Sequence, residues 1–145
     1  MIELILAMTL GAFAATALTV VMTKGIESVR AINRYERLHA NAAFVSDTLF
    51  YWIKQSDKTA TPSTSVLNLT LPDYSRKTIG LNGNTITFGE NTDPIQNPLL
   101  TDSDITVTNM TFLSLARSIQ TNYTLQAKNS KETFSASVTV ALREP

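Results

Sequence analysis

Glu3 is the one residue whose chemistry is out of keeping with its surroundings. It is the only charge before Lys24, and from Leu4 to Thr23 the chain runs 20 residues without another. A carboxylate held in lipid or among apolar helices costs several kcal/mol unless it is paired. Lys24 cannot pair with it along a helix, because it would stand roughly 30 Å away on the axis. Two readings are open. Glu3 pairs with the α-ammonium of a neighbouring subunit, worth about 4 kcal/mol before desolvation at about 4 Å and an effective dielectric of about 20. Alternatively it sits at the membrane–water interface and needs no partner.

The other reactive groups are sparse. With no cysteine, disulfides, thiolate metal sites and thiol nucleophiles are excluded. His39 is the only imidazole and falls in a charged, helical stretch, where it is expected to face solvent. A catalytic triad would need a serine and an acid brought to it. No enzymatic activity and no cofactor are therefore expected. Asp93, Asp102 and Asp104 could offer oxygen ligands to Ca²⁺. Their spacing matches no EF-hand and Asp-rich turns are common, so no metal site is expected. Asn68, Asn109 and Asn122 open N-x-[ST] patterns, but Thr at 21 and Ser at 12 make chance matches frequent. Lys+Arg and Asp+Glu number 12 each, and Arg76-Lys77 is only a small basic spot, so nothing suggests nucleic acid.

These residues need elements to position them. Neither Gly nor Pro occurs between Gly25 and Pro62, while most of the Thr and Ser lie beyond residue 58. The first part reads as helix and the second as antiparallel sheet. The uncharged run 4–23 is long enough to span a bilayer as helix. Its threonines do not forbid this, since a Thr hydroxyl can bond back to the preceding turn. Gly11 allows close approach of another helix. Ala15-Thr16-Ala17 fits a signal-peptide cleavage pattern, but Met1-Ile2-Glu3 carries an acid and no base, and the helical pattern runs on unbroken. Beyond Lys24, the residues Ile26, Val29, Ile32, Tyr35, Leu38, Ala42, Val45, Leu49 and Trp52 recur at threes and fours, one apolar stripe. Together these predict one helix to about Lys54, roughly 80 Å long at about 1.5 Å per residue.

After it, 56–65 is polar, contains Pro62 and reads as a linker. Val66 to Leu71 alternates, with Leu67, Leu69 and Leu71 on one side. Asn82-Gly83 sits between two strand-like runs, the strongest hairpin signal in the chain. The stretch 91–104 reads as a loop. In the run from Ile105 to Leu115, Ile105 and Val107 and then Met110 and Phe112 point inward, and the change of parity predicts a bulge near Thr108 or Asn109. Ile119–Ala127 and a strictly alternating run from Phe134 to Leu142 follow, joined by the polar turn 128–131. The expected fold is α+β: a long N-terminal helix, apolar then amphipathic, packed on an antiparallel sheet of about 4–6 strands. The expected divisions are a membrane or filament-core helix over 1–24, an amphipathic helix packing on the sheet over 25–55, and a β-domain over 56–145. Val45, Leu49 and Trp52 are the expected helix–sheet contacts.

This arrangement resembles the type IV pilin-like proteins, the pilins and pseudopilins. The resemblance rests on Ile2-Glu3-Leu4 opening an apolar run of about 20 residues, on the unbroken helix leaving it and on the β-rich second half. The stretch from Arg37 to Phe44, with Leu49 and Ile53-Lys54, looks like the helix of minor pilins of the J and W types. In the family a glutamate sits at the fifth position of the mature protein, behind a processed basic leader and an N-methylated residue; here it is residue 3. Either two residues and a leader precede residue 1 or the start differs, and Met1 is not assigned as the methylated residue. A proline in the first 25 residues and a C-terminal disulfide, found in many major pilins, are both absent. Lys24, Arg30, Arg34 and Arg37 follow the apolar run, so the charge rule alone would put 24–145 in the cytoplasm; the resemblance implies the reverse, with a removed basic leader.

The resemblance implies a structural subunit that is held in the inner, cytoplasmic membrane by one pass before assembly and afterwards stands in an extracellular or periplasmic filament. Its partners would be copies of itself or other pilin-like subunits, a prepilin peptidase and an assembly platform. It favours subunit pairing for Glu3, and an assembly surface of Met1, Ile2, Glu3, Leu4, Leu6, Leu10, Gly11 and Phe13. The alternative is a single-pass membrane protein with a soluble β-rich binding domain.

Overall fold

A computed structural model describes residues 1–90 and 99–142. Among these residues there is one helix, α1 (Ile2–Gln55), 54 residues long. It ends where Ser56 takes over its carbonyls: the Ser56 N–H donates to Trp52 O at 3.1 Å, and Ser56 Oγ donates to Ile53 O at 2.8 Å. Lys54 in the last turn suits the negative end of the helix dipole.

The chain divides into two compact units, Met1–Arg34 and Tyr35–Pro145. In the first, the apolar side chains are exposed on every face of the helix. The threonines close their own hydrogen bonds, as the sequence predicts: Thr9 to Ile5 O, Thr16 to Ala12 O, Thr19 to Ala15 O and Thr23 to Thr19 O, at 2.8–3.0 Å.

The second unit holds the core. Seven strands make it: β1 (Lys58–Ser63), β2 (Val66–Thr70), β3 (Arg76–Asn82), β4 (Thr85–Glu90), β5 (Ile105–Leu115), β6 (Ser118–Ala127) and β7 (Thr133–Ala141). They form two antiparallel sheets, ordered β1-β2-β3-β4 and β5-β6-β7. The α+β reading with a long apolar helix stands; among the described residues the strands are seven, in two sheets, where about 4–6 in one sheet were expected. The extra strand is β1, inside the stretch expected to be a linker. It pairs with β2 from Lys58↔Thr70, and the register shifts between Ala60 and Ser63, across Pro62. A strand at a sheet edge has no use for the proline's missing N–H.

The hairpin at Asn82-Gly83 forms one residue later than expected. Asn82 pairs with Thr85, so Gly83-Asn84 is the two-residue turn. Gly83 takes φ 60° and Asn84 does not join it in the left-handed region, the arrangement with glycine at the first turn position. In β5 the bulge is where the parity change puts it, between Val107 and Asn109. The expected loop 91–104 lies outside the described residues up to 98; beyond that, Leu99 bridges Thr87.

The two sheets meet at β5. Its Val107 N–H donates to Asn84 O at 2.8 Å and its Phe112 N–H to Thr64 O at 2.7 Å, so the turns of the first sheet hang on the edge of the second. One core joins both sheets to the helix. Leu38, Ala42, Val45, Leu49 and Ile53 meet Leu67, Leu69, Ile79 and Ile86 from the first sheet and Val107, Met110, Phe112, Ile119, Tyr123 and Leu125 from the second. The expected packing face over 25–55 is therefore too long. Ile26, Val29 and Ile32 are 52%, 57% and 57% exposed, and burial begins at Leu38. The buried file also ends on Ile53, with Trp52 only half-buried.

Candidate functional site

The surface with most to explain is the start of α1. Ile2, Leu4, Leu6, Leu10 and Phe13 are 79%, 68%, 58%, 64% and 79% exposed, and Met1 projects fully. At Gly11 an added Cβ would meet nothing within 4 Å, so the backbone is bare there. Among the described residues Glu3 has no ion pair and no side-chain hydrogen bond. It occupies the first turn, where the unpaired N–H groups favour a negative charge. One helix of the chain is long and apolar enough to cross a membrane, and none of its apolar window is buried within the chain. The sequence-predicted assembly residues thus share one exposed stretch. Leaving apolar surface in water costs roughly 25 cal/mol per Å².

The helix–sheet contacts are of two kinds. Val45 and Leu49 are fully buried. Trp52 instead stacks on Phe88 of β4 at 5.1 Å, and Lys77 Nζ stands 5.3 Å from its ring. Lys77 is itself nearly buried and pairs with Glu90 across the β3–β4 hairpin. Desolvating that ammonium is tolerable because a carboxylate and two ring faces receive it. The Lys77–Glu90 pairing follows from the true register, Lys77↔Glu90, and was hidden by a turn placed one residue early.

The most polar tie falls on the acids weighed as calcium ligands. Asn41 is buried; its Nδ2 donates to Asp102 Oδ2 at 2.9 Å, and its Oδ1 accepts the Asp102 N–H at 2.9 Å. Arg37 Nη1 pairs with Asp104 Oδ2 at 3.2 Å. Asp102 and Asp104 therefore pin 101–104 to the helix, and Asp93 lies outside the described residues. No cluster of three His, Cys, Asp or Glu able to hold a metal occurs among the described residues. His39 is exposed as expected, its ring 4.7 Å from that of Phe134. Tyr123 is a second tie that sequence reasoning did not find. Its hydroxyl donates to Ala42 O at 2.7 Å and meets Ser46 Oγ at 2.6 Å. Burial pushes its phenol above the usual value; the Ser46 hydrogen bond works against this and the Asp47 charge adds to it.

No protein-family model, no curated protein and no solved structure matches this chain.

Proposed function

We propose that this chain is a structural subunit of a type IV pilus-like filament, held in the membrane by α1 before assembly and packed through the same stretch afterwards. The observation that carries the reading is the two-part use of one helix. Its residues from Leu38 to Ile53 are core for the β-domain, while its apolar start is exposed and opens with an unpartnered acid. A plain membrane anchor could keep that acid at the interface, on the positive end of its helix, but would gain no contact from it. A filament subunit gains one: a carboxylate that meets a neighbour's terminal ammonium fixes axial register where apolar packing alone would slide. The partners are then copies of this chain or similar subunits, and no catalytic role is assigned.

The test is Glu3→Ala in the full chain. Membrane insertion should persist or improve, because a charge that is costly in lipid is gone. Incorporation into filaments should fall, because the register contact is gone. Assembly at the wild-type level would remove Glu3 from the mechanism, and a full chain that stays monomeric without detergent would leave the membrane-anchor and filament readings equally untenable.

A further inference from the structure

Four sheet edges exist in the β-domain, and they are treated unequally. The β1 edge is broken by its register shift and Pro62. The β4 edge is covered where Leu100 N–H donates to Ile86 O at 2.8 Å. The β5 edge carries the two turns of the first sheet. The β7 edge has no backbone partner among the described residues. Its register with β6 (Ile119↔Val140, Leu125↔Phe134) and the bonds Leu142 N to Arg117 O and Ala127 N to Glu132 O fix which groups are free. Phe134, Ala136, Val138 and Val140 exchange hydrogen bonds with β6. Thr133, Ser135, Ser137, Thr139 and Ala141 aim N–H and C=O outward. No charge or proline interrupts 133–142, although native edges are ordinarily blunted by one or the other.

We propose that this edge pairs antiparallel with β7 of a second copy, continuing the β5-β6-β7 sheet across a two-fold axis at Ser137. The strand is complementary to itself in that register. Ser137 meets the partner's Ser137, and Ser135 meets the partner's Thr139, hydroxyl against hydroxyl on the outer face. On the inner face Ala136 and Phe134 fall beside the partner's Val138 and Val140. Phe134, Ala136 and Val138 are only half-buried in the single chain, so pairing completes their burial. An uncharged strand gives no advantage to a charged partner, and its own copy supplies ten outward backbone groups to match its ten. Such a contact closes on two chains and cannot recur along a filament whose subunits all point one way. It does not depend on the filament reading.

The absence of cysteine makes the test direct. In the detergent-solubilised full chain, Ser137→Cys faces its counterpart at a Cα separation of about 5.5 Å, within the disulfide range. Ser135→Cys has its counterpart four residues along, about 14 Å away. Under mild oxidation Ser137→Cys should form a disulfide dimer at least about tenfold faster than Ser135→Cys, and the double variant Ser135→Cys/Thr139→Cys should recover the fast rate. Adding Ser135→Lys to Ser137→Cys should abolish the dimer while leaving the chain folded, the melting temperature falling only by the loss of the Ser135–Thr124 hydroxyl bond. Ser135→Pro should do the same, since β6 does not use that N–H. Equal rates for the two single variants would mean chance collision in the micelle and would overturn the pairing, as would no disulfide from either. Filament incorporation of Ser135→Lys is a separate readout and should be unchanged; a fall would place the edge in the filament contact instead and also overturn the proposal.

Discussion

Tyr123 sits 1% exposed in the core, and its hydroxyl reaches across to the Ala42 carbonyl and Ser46. Tyr123→Phe keeps the ring and removes both bonds, so it should cost about 1 kcal/mol of stability at neutral pH. The pH dependence has a definite sign. Because the folded state holds the phenol proton more tightly, Tyr123's contribution is intact below the ordinary value of 10.0 and is lost as pH rises through the raised folded value. Melts between neutral pH and pH 11 should therefore show a steeper alkaline loss for the natural chain than for Tyr123→Phe. Asn41 makes a different prediction. Asn41→Asp replaces a donor with a charge beside Asp102 and should cost about 2 kcal/mol at neutral pH, relieved as the medium is acidified; a denaturant melt at two pH values checks it.

At the scale of elements, the helix–sheet seam grades from sealed to open. Leu49→Ala empties a fully buried site and should cost about 2–5 kcal/mol. Trp52→Ala removes a stacked but half-exposed ring and should cost less, about 1–3 kcal/mol. Denaturant midpoints of the two variants would show the order, and a larger loss at Trp52 would mean that Lys77 cannot do without its aromatic cover. Much of this seam was legible. The breaker-free stretch gave the helix, the parity change at Thr108 gave the bulge, and alternation gave Leu67 and Leu69. Other parts were not, for physical reasons. Ile26, Val29 and Ile32 have the same period as Leu38 to Ile53, and periodicity cannot say where the sheet beneath stops. Lys58–Ser63 has the composition of a linker and becomes a strand only because β2 offers it an edge. Asn41–Asp102 and Ser46–Tyr123 join residues 61 and 77 apart, so no local pattern announces them. Of the assembly surface, Glu3 and the apolar run could be read directly, because a charge bordering 20 uncharged residues is a local anomaly.

For the whole molecule, the division between Arg34 and Tyr35 separates two kinds of surface. The first unit exposes its apolar side chains, whereas the second buries a core of them while leaving others such as Phe44, Phe50, Leu113 and Leu115 exposed. A chain lacking residues 1–34 should be soluble without detergent and unfold in one cooperative transition, while the full chain should fractionate with membranes or filaments. Ultracentrifugation of cell fractions and a melt of the shortened chain test both halves of the statement. Failure of the shortened chain to fold would mean that the core needs helix ahead of Tyr35.

The strand order of both sheets has a consequence in time. Each sheet is a meander whose neighbours in space are neighbours in sequence, so each hairpin can close within about 1–10 μs of being available. The helix stripe is in another position. Its cover includes Tyr123, made 70 residues after Ile53, and at about 5–20 residues per second the ribosome needs about 4–14 s to reach it. During that interval the nascent chain carries two bare apolar stretches. Under the proposed function the one at its start goes to lipid, and the one from Leu38 to Ile53 must be kept from following it. Arg30, Arg34 and Arg37 stand between the two, and on the proposed reading their charge is what marks, for those seconds, where the membrane segment would end.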